Sequence, residues 1–387
     1  MTKHTSLRAP QDEHSKPAPL LIRRVEAIAV ALPLTKPMRM AGVTIAHAQN
    51  ILVRIEAADG TIGWGEAASA PTMTGDTLGG LVCAVRDHLA PLLIGEDAWA
   101  RPTLMRRLGA ALLGNTGAHS AVEIALIDLL GKASGLPAVD LMGGALRRTV
   151  APMWLLGNAT TEEDVAEVRA KQRAGFNFFK LKVGSKALAQ DISTTHAVRN
   201  VLTAAVPLCA DANCGLTPAA ARRYLEETRS AALLFLEQPL GFADLKGLTA
   251  LARLSPIPIG ADEGIHAVAD VEAHAACGAG GVSLKLIKLG GFSAAQEAAV
   301  RADRLGLALN VAAKIAESSI ASAATIHLAC AVPTIDWGVS LTHFYLAEDI
   351  VRQPLALRDG LVALPNKPGL GVEVDEDAIR RYRVEAT

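Results

Sequence analysis

Aromatic residues are scarce in this chain of 387 residues, at 4% of the total, so aliphatic and small side chains must fill its core. Its five cysteines (Cys83, Cys209, Cys214, Cys277 and Cys330) are odd in number and include no C-x-x-C pair. That argues against a disulfide frame or a zinc knuckle and for reduced thiols in the cytoplasm. Neither sign of charge dominates: 38 Lys and Arg face 39 Asp and Glu, which leaves no field to attract nucleic acid or an anionic membrane. No apolar run approaches the length of a membrane-spanning helix. The polar, proline-containing start lacks the apolar core of a signal peptide, and residues 1–21 read as a flexible N-terminal segment. Also missing are a G-x-S-x-G elbow, a Walker loop, a G-x-G-x-x-G after a strand and an H-x-x-x-H pair. Nucleophilic-serine, P-loop, dinucleotide and helix-borne zinc chemistries are therefore without support.

What the chain does have is apolar residues, half of the total, and five short apolar runs that each end in a charge. The charges are Lys182 after Phe178-Phe179, Asp211 after Leu208-Cys209-Ala210, Glu237 after Leu234-Phe235-Leu236, Asp262 after Ile259-Gly260-Ala261, and Lys285 after Val282-Ser283-Leu284. Consecutive members are 23 to 29 residues apart. A strand, a crossover helix and two loops need about 25–30 residues, so each interval reads as one βα unit. Helical stretches at 162–174, 187–205, 218–230, 244–254, 267–277 and 294–305 fill the intervals. Strands at 151–155, 307–312 and 334–337 bring the count to eight. Charges on five successive strand ends favour a closed barrel over an open sheet, which has a single switch-point crevice.

Ahead of this array, residues 22–145 read as an α+β module. Alternating residues from Val25 to Ala31, the run Ile51–Glu56, and Ile62–Glu66 after the Asp59-Gly60 turn are its strands. Two loops, Lys36 to Gln49 and Ser69 to Asp76, flank them. The apolar stretch His119 to Ser134 is a helix stopped by Gly135 and Pro137. The barrel then occupies residues 146–363, and residues 364–387 are expected to pack back on the first module. His327, on an apolar helix, reads as a core residue.

Asp211, Glu237 and Asp262 come from three neighbouring strand ends and can converge on one cation. An all-oxygen set suits Mg²⁺ or Mn²⁺ rather than zinc. Asn213 and Gln238 are placed to donate hydrogen bonds to these ligands. Lys182 and Lys285 flank the triad in strand order and would face each other across a bound molecule. Lys180 shares the strand face of Lys182, where its charge can lower the Lys182 pKa and hold an anion. A neutral Lys182 can abstract a proton alpha to a carboxylate, with a metal stabilising the enediolate that forms. Lys288 reads as a solvated surface charge. Lys314 and Glu317, three residues apart, read equally as an ion pair opening a helix or as groups reaching a substrate at the barrel mouth. Two rival classes fit the lysines: a Schiff-base lyase that needs no metal, and a non-catalytic metabolite binder.

The segments Lys180-Leu181-Lys182, Asp211-Ala212-Asn213, Glu237-Gln238-Pro239, Ala261-Asp262-Glu263 and Ser283-Leu284-Lys285 with Gly290-Gly291 resemble the enolase superfamily. Within it they are similar to the muconate-lactonizing branch of the mandelate racemase/muconate lactonizing enzyme family, as are Gly114-Asn115-Thr116 and Gly135-Leu136-Pro137. The resemblance runs from Ile22 to the C-terminus. It implies a modified (β/α)₇β barrel under an α+β capping domain, and a Mg²⁺-dependent homo-oligomeric isomerase or lyase acting on a small carboxylate. It implies Asp211, Glu237 and Asp262 as ligands, Lys182 and Lys285 as the acid/base pair, and Lys180 as helper. Loops carrying Met38 and Met73 would close over the substrate. Muconate cycloisomerase-like chemistry leads, with racemisation or epimerisation of an amino-acid derivative or dipeptide, or syn-dehydration, on the same scaffold. Glu317 matches an acidic position of the branch. Lys314 departs from the pattern, which has a small or neutral residue there.

Overall fold

The computed structural model describes residues 18–40, 43–157 and 159–386. The first module opens with a three-stranded antiparallel sheet of β1 (Ile22–Met40), β2 (Val43–Ala57) and β3 (Ile62–Ala68), with β2 in the centre. The stretch from Lys36 to Gln49, expected as a loop, is instead the far end of a long hairpin in which Met38 pairs with Ile45 and Pro33 with His47. A register shift between those two pairs absorbs Pro33 and Pro37 on an edge strand, where proline costs no ladder bond. Most of the flexible segment expected at the start, residues 1–17, lies outside the described residues. Its last members are fixed: Leu20 is buried, its N–H donates to Asp97 Oδ1 (3.0 Å), and Leu21 O accepts from Ala58 N (2.8 Å).

Helices α1 (Leu78–Cys83), α2 (Arg101–Ala111) and α3 (Thr116–Ser134) follow. Helix α3 is buried from Gly117 to Gly131 and stops at Gly135, whose left-handed φ of 73° closes it as expected. β3 lies directly on α3, because Gly63 and Gly65 present no side chain there. A Cβ at Gly65 would fall 1.9 Å from Ala121 O. Buried Asp128 ties three elements together, accepting from Trp64 N (2.8 Å), Lys132 Nζ (2.7 Å) and Leu370 N (2.8 Å).

After the short β4 (Thr149–Val150), eight parallel strands form the second module: β5 (Trp154–Leu156), β6 (Phe179–Lys182), β7 (Leu208–Asp211), β8 (Leu236–Glu237), β9 (Ile259–Ala261), β10 (Gly281–Leu284), β11 (Ala308–Ala312) and β12 (Val339–Ser340). They neighbour one another in chain order. The ring closes where Met153 N donates to Val339 O (2.8 Å). Helices α4 (Thr161–Arg173), α5 (Leu188–Val201), α6 (Pro218–Glu227), α7 (Leu245–Leu254), α8 (Val268–Ala276), the short α9 (Leu286–Leu289) with α10 (Phe292–Arg304), and α11 (Ser319–Ala331) link the strands. Seven strand–helix units and a final strand make a (β/α)₇β barrel.

The first strand lies slightly later than its expected span. The last is Val339–Ser340, not residues 334–337. Trp337 is held in the turn before β12 because its ring stacks on Phe235 (centroids 4.0 Å apart, 11° between planes) and plugs the barrel floor. That plug requires glycine beside it: a Cβ at Gly281 would lie 2.5 Å from the Trp337 ring. Strand β13 (Leu357–Arg358) pairs with β14 (Leu361–Ala363), and β14 pairs with β4. The tail then runs under α3 to α12 (Glu376–Tyr382), and Val384 N donates to Ala29 O of β1 (3.0 Å). His327 is buried on α11, with Val139 N donating to its Nδ1 (3.2 Å) and Nε2 on Leu370 O (3.1 Å). Among the described residues no helix is long and apolar enough to cross a membrane.

The glycine contacts generate a paired prediction. Gly65→Ala should lower folding stability by about 1–3 kcal/mol through the clash with α3. Gly109→Ala, in exposed α2 with nothing within 4 Å of the new Cβ, should raise it by about 0.5–1 kcal/mol. Urea denaturation of both variants checks this; equal effects would refute the packing account.

Candidate active site

Lys182, Asp211 and Glu237 are lateral neighbours in the barrel register, Lys182 opposite Asp211 and Asp211 opposite Glu237. Asp262 and Lys285 follow β9 and β10 immediately. All five side chains are buried. One oxygen from each of Asp211, Glu237 and Asp262 comes within 4.8 Å of the others, a span that a single divalent ion can bridge. Every oxygen of the triad already accepts one donor, and each keeps a second lone pair for a cation. The carboxylate-only set fits a hard, oxygen-preferring ion.

Each carboxylate is matched by a lysine. Lys182 Nζ donates to Asp211 Oδ2 (2.6 Å) and to Asn213 Oδ1 (2.8 Å). Lys180 Nζ donates to Glu237 Oε2, and Ser283 Oγ donates to the other oxygen of Glu237. Lys285 Nζ donates to Asp262 Oδ2. The two lysines of β6 therefore diverge, one to each of two adjacent ligands. Burial acts against charge throughout, and the pairings decide the outcome. Lys285 and Lys288 overcome the burial of Asp262 and hold its carboxyl well below the ordinary range. Burial disfavours the charged Lys180, yet Glu237 and its neighbours hold that ammonium above its usual value. Glu237, central in the triad, is pushed upward by burial and by Asp211 and Asp262, against the pull of Lys180.

Lys288 is the clearest departure from expectation. It is not a surface charge but wholly buried, donating to Asp262 Oδ1 (2.6 Å), to the Asp262 carbonyl and to Ser283 O (3.1 Å). The single turn of α9 carries it back beneath Lys285, a reversal that strand-end spacing alone does not reveal. Asn213 lies beside the ligands: its backbone N–H donates to Asp211 Oδ1 (2.9 Å), while its side-chain amide donates to Glu263 Oε1 (2.8 Å), outside the triad. Gln238 touches the site differently: its Oε1 accepts from Asp262 N (2.9 Å) and Gly264 N (3.2 Å), so it orients the Asp262 loop through the backbone. Glu263, noticed in the sequence only as part of a motif, is buried with Oε2 unpaired. Burial, Asp262 and Asp211 push its carboxyl up to about 7.

A cavity of about 40 Å³ sits over the triad, lined by Lys180, Lys182, Asp211, Asn213, Asp262 and Lys285, with Met73, Leu155, Ile315 and Lys314 among the remaining wall. Met73 thus lies where a closing loop was expected. Met38 does not line it; paired with Ile45 on β1, it is buried in the core. Lys314 does line it, and burial lowers its pKa to about 8. Glu317 is not among the lining residues. It accepts from Lys314 N (2.8 Å) and Ala68 N (3.4 Å) and forms no ion pair with the Lys314 side chain. Nearby, Glu66 of β3 reaches into the barrel module, accepting from Ser318 N (2.9 Å), Ser318 Oγ (2.5 Å), Ala321 N (3.0 Å) and Asn50 Nδ2 (2.7 Å). Burial and the adjacent Glu66 push the Glu317 carboxyl up to about 8.

Comparison with known proteins places this geometry. Residues 22–143 match the family described as "Mandelate racemase / muconate lactonizing enzyme, N-terminal domain", and residues 163–378 match "Enolase C-terminal domain-like". Muconate cycloisomerase 1 of Pseudomonas putida is 33% identical over 373 residues, covering 94% of this chain and 98% of its own. L-Ala-D/L-Glu epimerase of Bacillus subtilis is 30% identical over 357 residues, covering 91% of this chain and 96% of its own. The solved muconate lactonizing enzyme of Pseudomonas fluorescens, complexed with muconolactone, superposes with a TM-score of 0.92 at 30% identity, covering 95% of this chain and 100% of that one.

Two variants test the electrostatics. Lys288→Met leaves Asp262 short of a buried partner and should cost about 3–5 kcal/mol of stability by denaturant melting; a loss under 1 kcal/mol would show the pair to be dispensable. Glu317 binds its proton up to about pH 8 when folded against an ordinary 4.5. Its contribution is complete below the lower value and is lost as pH rises through the upper one, because the folded state holds the extra proton between them. Stability should therefore fall between about pH 5 and pH 8, and Glu317→Gln should flatten that fall; an unchanged slope refutes the assignment.

Proposed function

The chain belongs to the mandelate racemase/muconate lactonizing enzyme family of the enolase superfamily, and from that membership we propose that it moves a proton alpha to the carboxylate of a small acid. It is an enzyme of the isomerase/lyase class. The observation that carries the reading is that Lys182 and Lys285, from strands on opposite sides of the triad, line one cavity with Asp211 and Asp262.

Asp211, Glu237 and Asp262 would hold the metal, Mg²⁺ or Mn²⁺ by the chemistry of the donor set. When bound, that ion neutralises negative charge developing on the substrate carboxylate. Lys182 Nζ, steadied by Asn213, exchanges a proton on one face of the alpha carbon, and Lys285 Nζ does so on the other. Lys180 holds Glu237 in place and adds positive charge beneath the reacting carboxylate. Lys288 and Gln238 fix Asp262 from below and from its backbone. The cavity, about 40 Å³, holds only a few waters, so a substrate needs its walls to yield more room.

Muconate cycloisomerase-like chemistry is the first reading of the overall reaction, supported by the cycloisomerase relatives. Epimerisation of an amino-acid derivative is the second, and the presence of a base on each side favours it, since inversion needs both. A screen of small carboxylates in D₂O with Mg²⁺, read by NMR and mass spectrometry, distinguishes a changed skeleton from exchange with inversion. Lys182→Ala and Lys285→Ala should each slow exchange from one face by about 10²–10⁴-fold, and Glu237→Gln should abolish metal-dependent turnover. Full activity in EDTA, or borohydride trapping of a carbonyl substrate on either lysine, would instead establish a Schiff-base lyase.

A further inference from the structure

The Asn213 side chain sits between two unlike neighbours. Its Oδ1 accepts from Lys182 Nζ (2.8 Å), and its Nδ2 donates to Glu263 Oε1 (2.8 Å). The amide thus turns its oxygen to the lysine and its nitrogen to the acid. A carboxylate only accepts, so Glu263 admits no other orientation. This matters most when Lys182 is neutral. A freely turning amide could then donate Nδ2–H to the amine lone pair, the pair that takes up a proton, and block it. With Nδ2 held by Glu263, Lys182 can only donate to Asn213, as it donates to Asp211 Oδ2 (2.6 Å). Two directions around Nζ are then occupied by N–H bonds, and the third is left for the lone pair and the cavity that Lys182 and Asn213 both line.

Each member of this relay is itself fixed. Asn213 takes a left-handed φ of 40°, which asparagine tolerates better than most residues, and its N–H donates to Asp211 Oδ1 (2.9 Å). The backbone is pinned on both sides of Glu263, because Gln238 Oε1 accepts from Asp262 N (2.9 Å) and from Gly264 N (3.2 Å). Glu263 is buried, and among the described residues its side chain bonds only to Asn213, with Oε2 unpartnered. A buried acid kept for one hydrogen bond costs stability, so folding alone does not account for it. Lys285 has no such arrangement: among the described residues its Nζ donates to Asp262 Oδ2 alone.

We propose that Glu263 is a positioning residue that, through Asn213, fixes the Lys182 amine with its lone pair toward the substrate, and so serves one face of the alpha carbon only. The inference rests on the proton-transfer reading above and adds the group that aims one of its two bases.

NMR of the Mg²⁺-loaded full chain, labelled with ¹³C at lysine Cε, tests it at pH 8, where the Glu263 carboxyl, pushed up to about 7, is ionised. Lys182→Met and Lys285→Met assign the signals. In the wild type the two Cε hydrogens of Lys182 should have separate shifts, the mark of a fixed amine. Glu263→Met, of similar length but with no acceptor, should merge them and leave the Lys285 signals unchanged. Glu263→Gln, whose carbonyl can accept from Asn213, should keep them apart. Merged Lys182 signals in the wild type, separate ones in Glu263→Met, or the same change at both lysines would each overturn the proposal. Glu263→Ala replaces the methionine variant if that one fails to fold. In the D₂O screen, Glu263→Met should slow exchange about 10–10²-fold on the face that Lys182→Ala silences and leave the other face unchanged; equal slowing of both faces also overturns it. The expected lysine signals without alpha-proton exchange in any carboxylate would sink the catalytic reading alone.

Discussion

Three buried carboxylates on adjacent strand ends repel one another, and the rest of the site is an answer to that repulsion. Four lysines, each on one or more oxygens of the triad, offset it in the folded protein. Two of them come from one strand, one from the end of β10 and one from the turn of α9. Their sources explain why β6 carries lysines at alternate positions, and why the chain coils for a single turn after β10 before the long helix begins. The floor has the opposite character. The Phe235 ring lies 5.7 Å from Lys180 Nζ and stacks on Trp337, so the charged rim sits on an aromatic floor. In that low-dielectric setting each pairing is strong, and each missing partner is expensive.

Much of this was legible from residue spacing, because a βα unit has a nearly fixed length and strand ends of a barrel share one face. The triad, Lys180, Lys182, Lys285 and Asn213 meet as that regularity required. Where legibility failed, the cause was a contact between residues far apart in sequence. Lys288 looked solvated because nothing local reveals that α9 folds it under Asp262. The far end of the β1–β2 hairpin looked like a loop because its prolines are read as breakers, and the register shift that accommodates them is a property of the pair. The eighth strand was placed a few residues early, since an apolar Trp337 reads as strand until its stacking on Phe235 is known. Glu317 read equally as an ion-pair partner of Lys314 and as a group reaching a substrate; in the fold it is turned toward backbone amides, one of them in the other module. Glu66 carried no signal beyond its place in a strand.

Glu66 also has an implication for how such proteins can be recombined. It is a residue of the capping sheet, yet it supplies the acceptors for Ser318 N–H, the Ser318 hydroxyl and Ala321 N–H at the start of α11, work usually done by a helix's own first turn. The barrel's seventh unit is thus completed by the neighbouring module. Loop Ser69–Asp76 leaves β3 a few residues after Glu66, so the same anchor sets where Met73 hangs over the cavity. A chimaera that joins this cap to another barrel inherits a working closure only if the recipient offers a matching pair of serine and open amides at that helix. Shuffling at the domain boundary therefore exchanges specificity loops and helix caps as one unit, and a transplanted loop without its carboxylate arrives untethered.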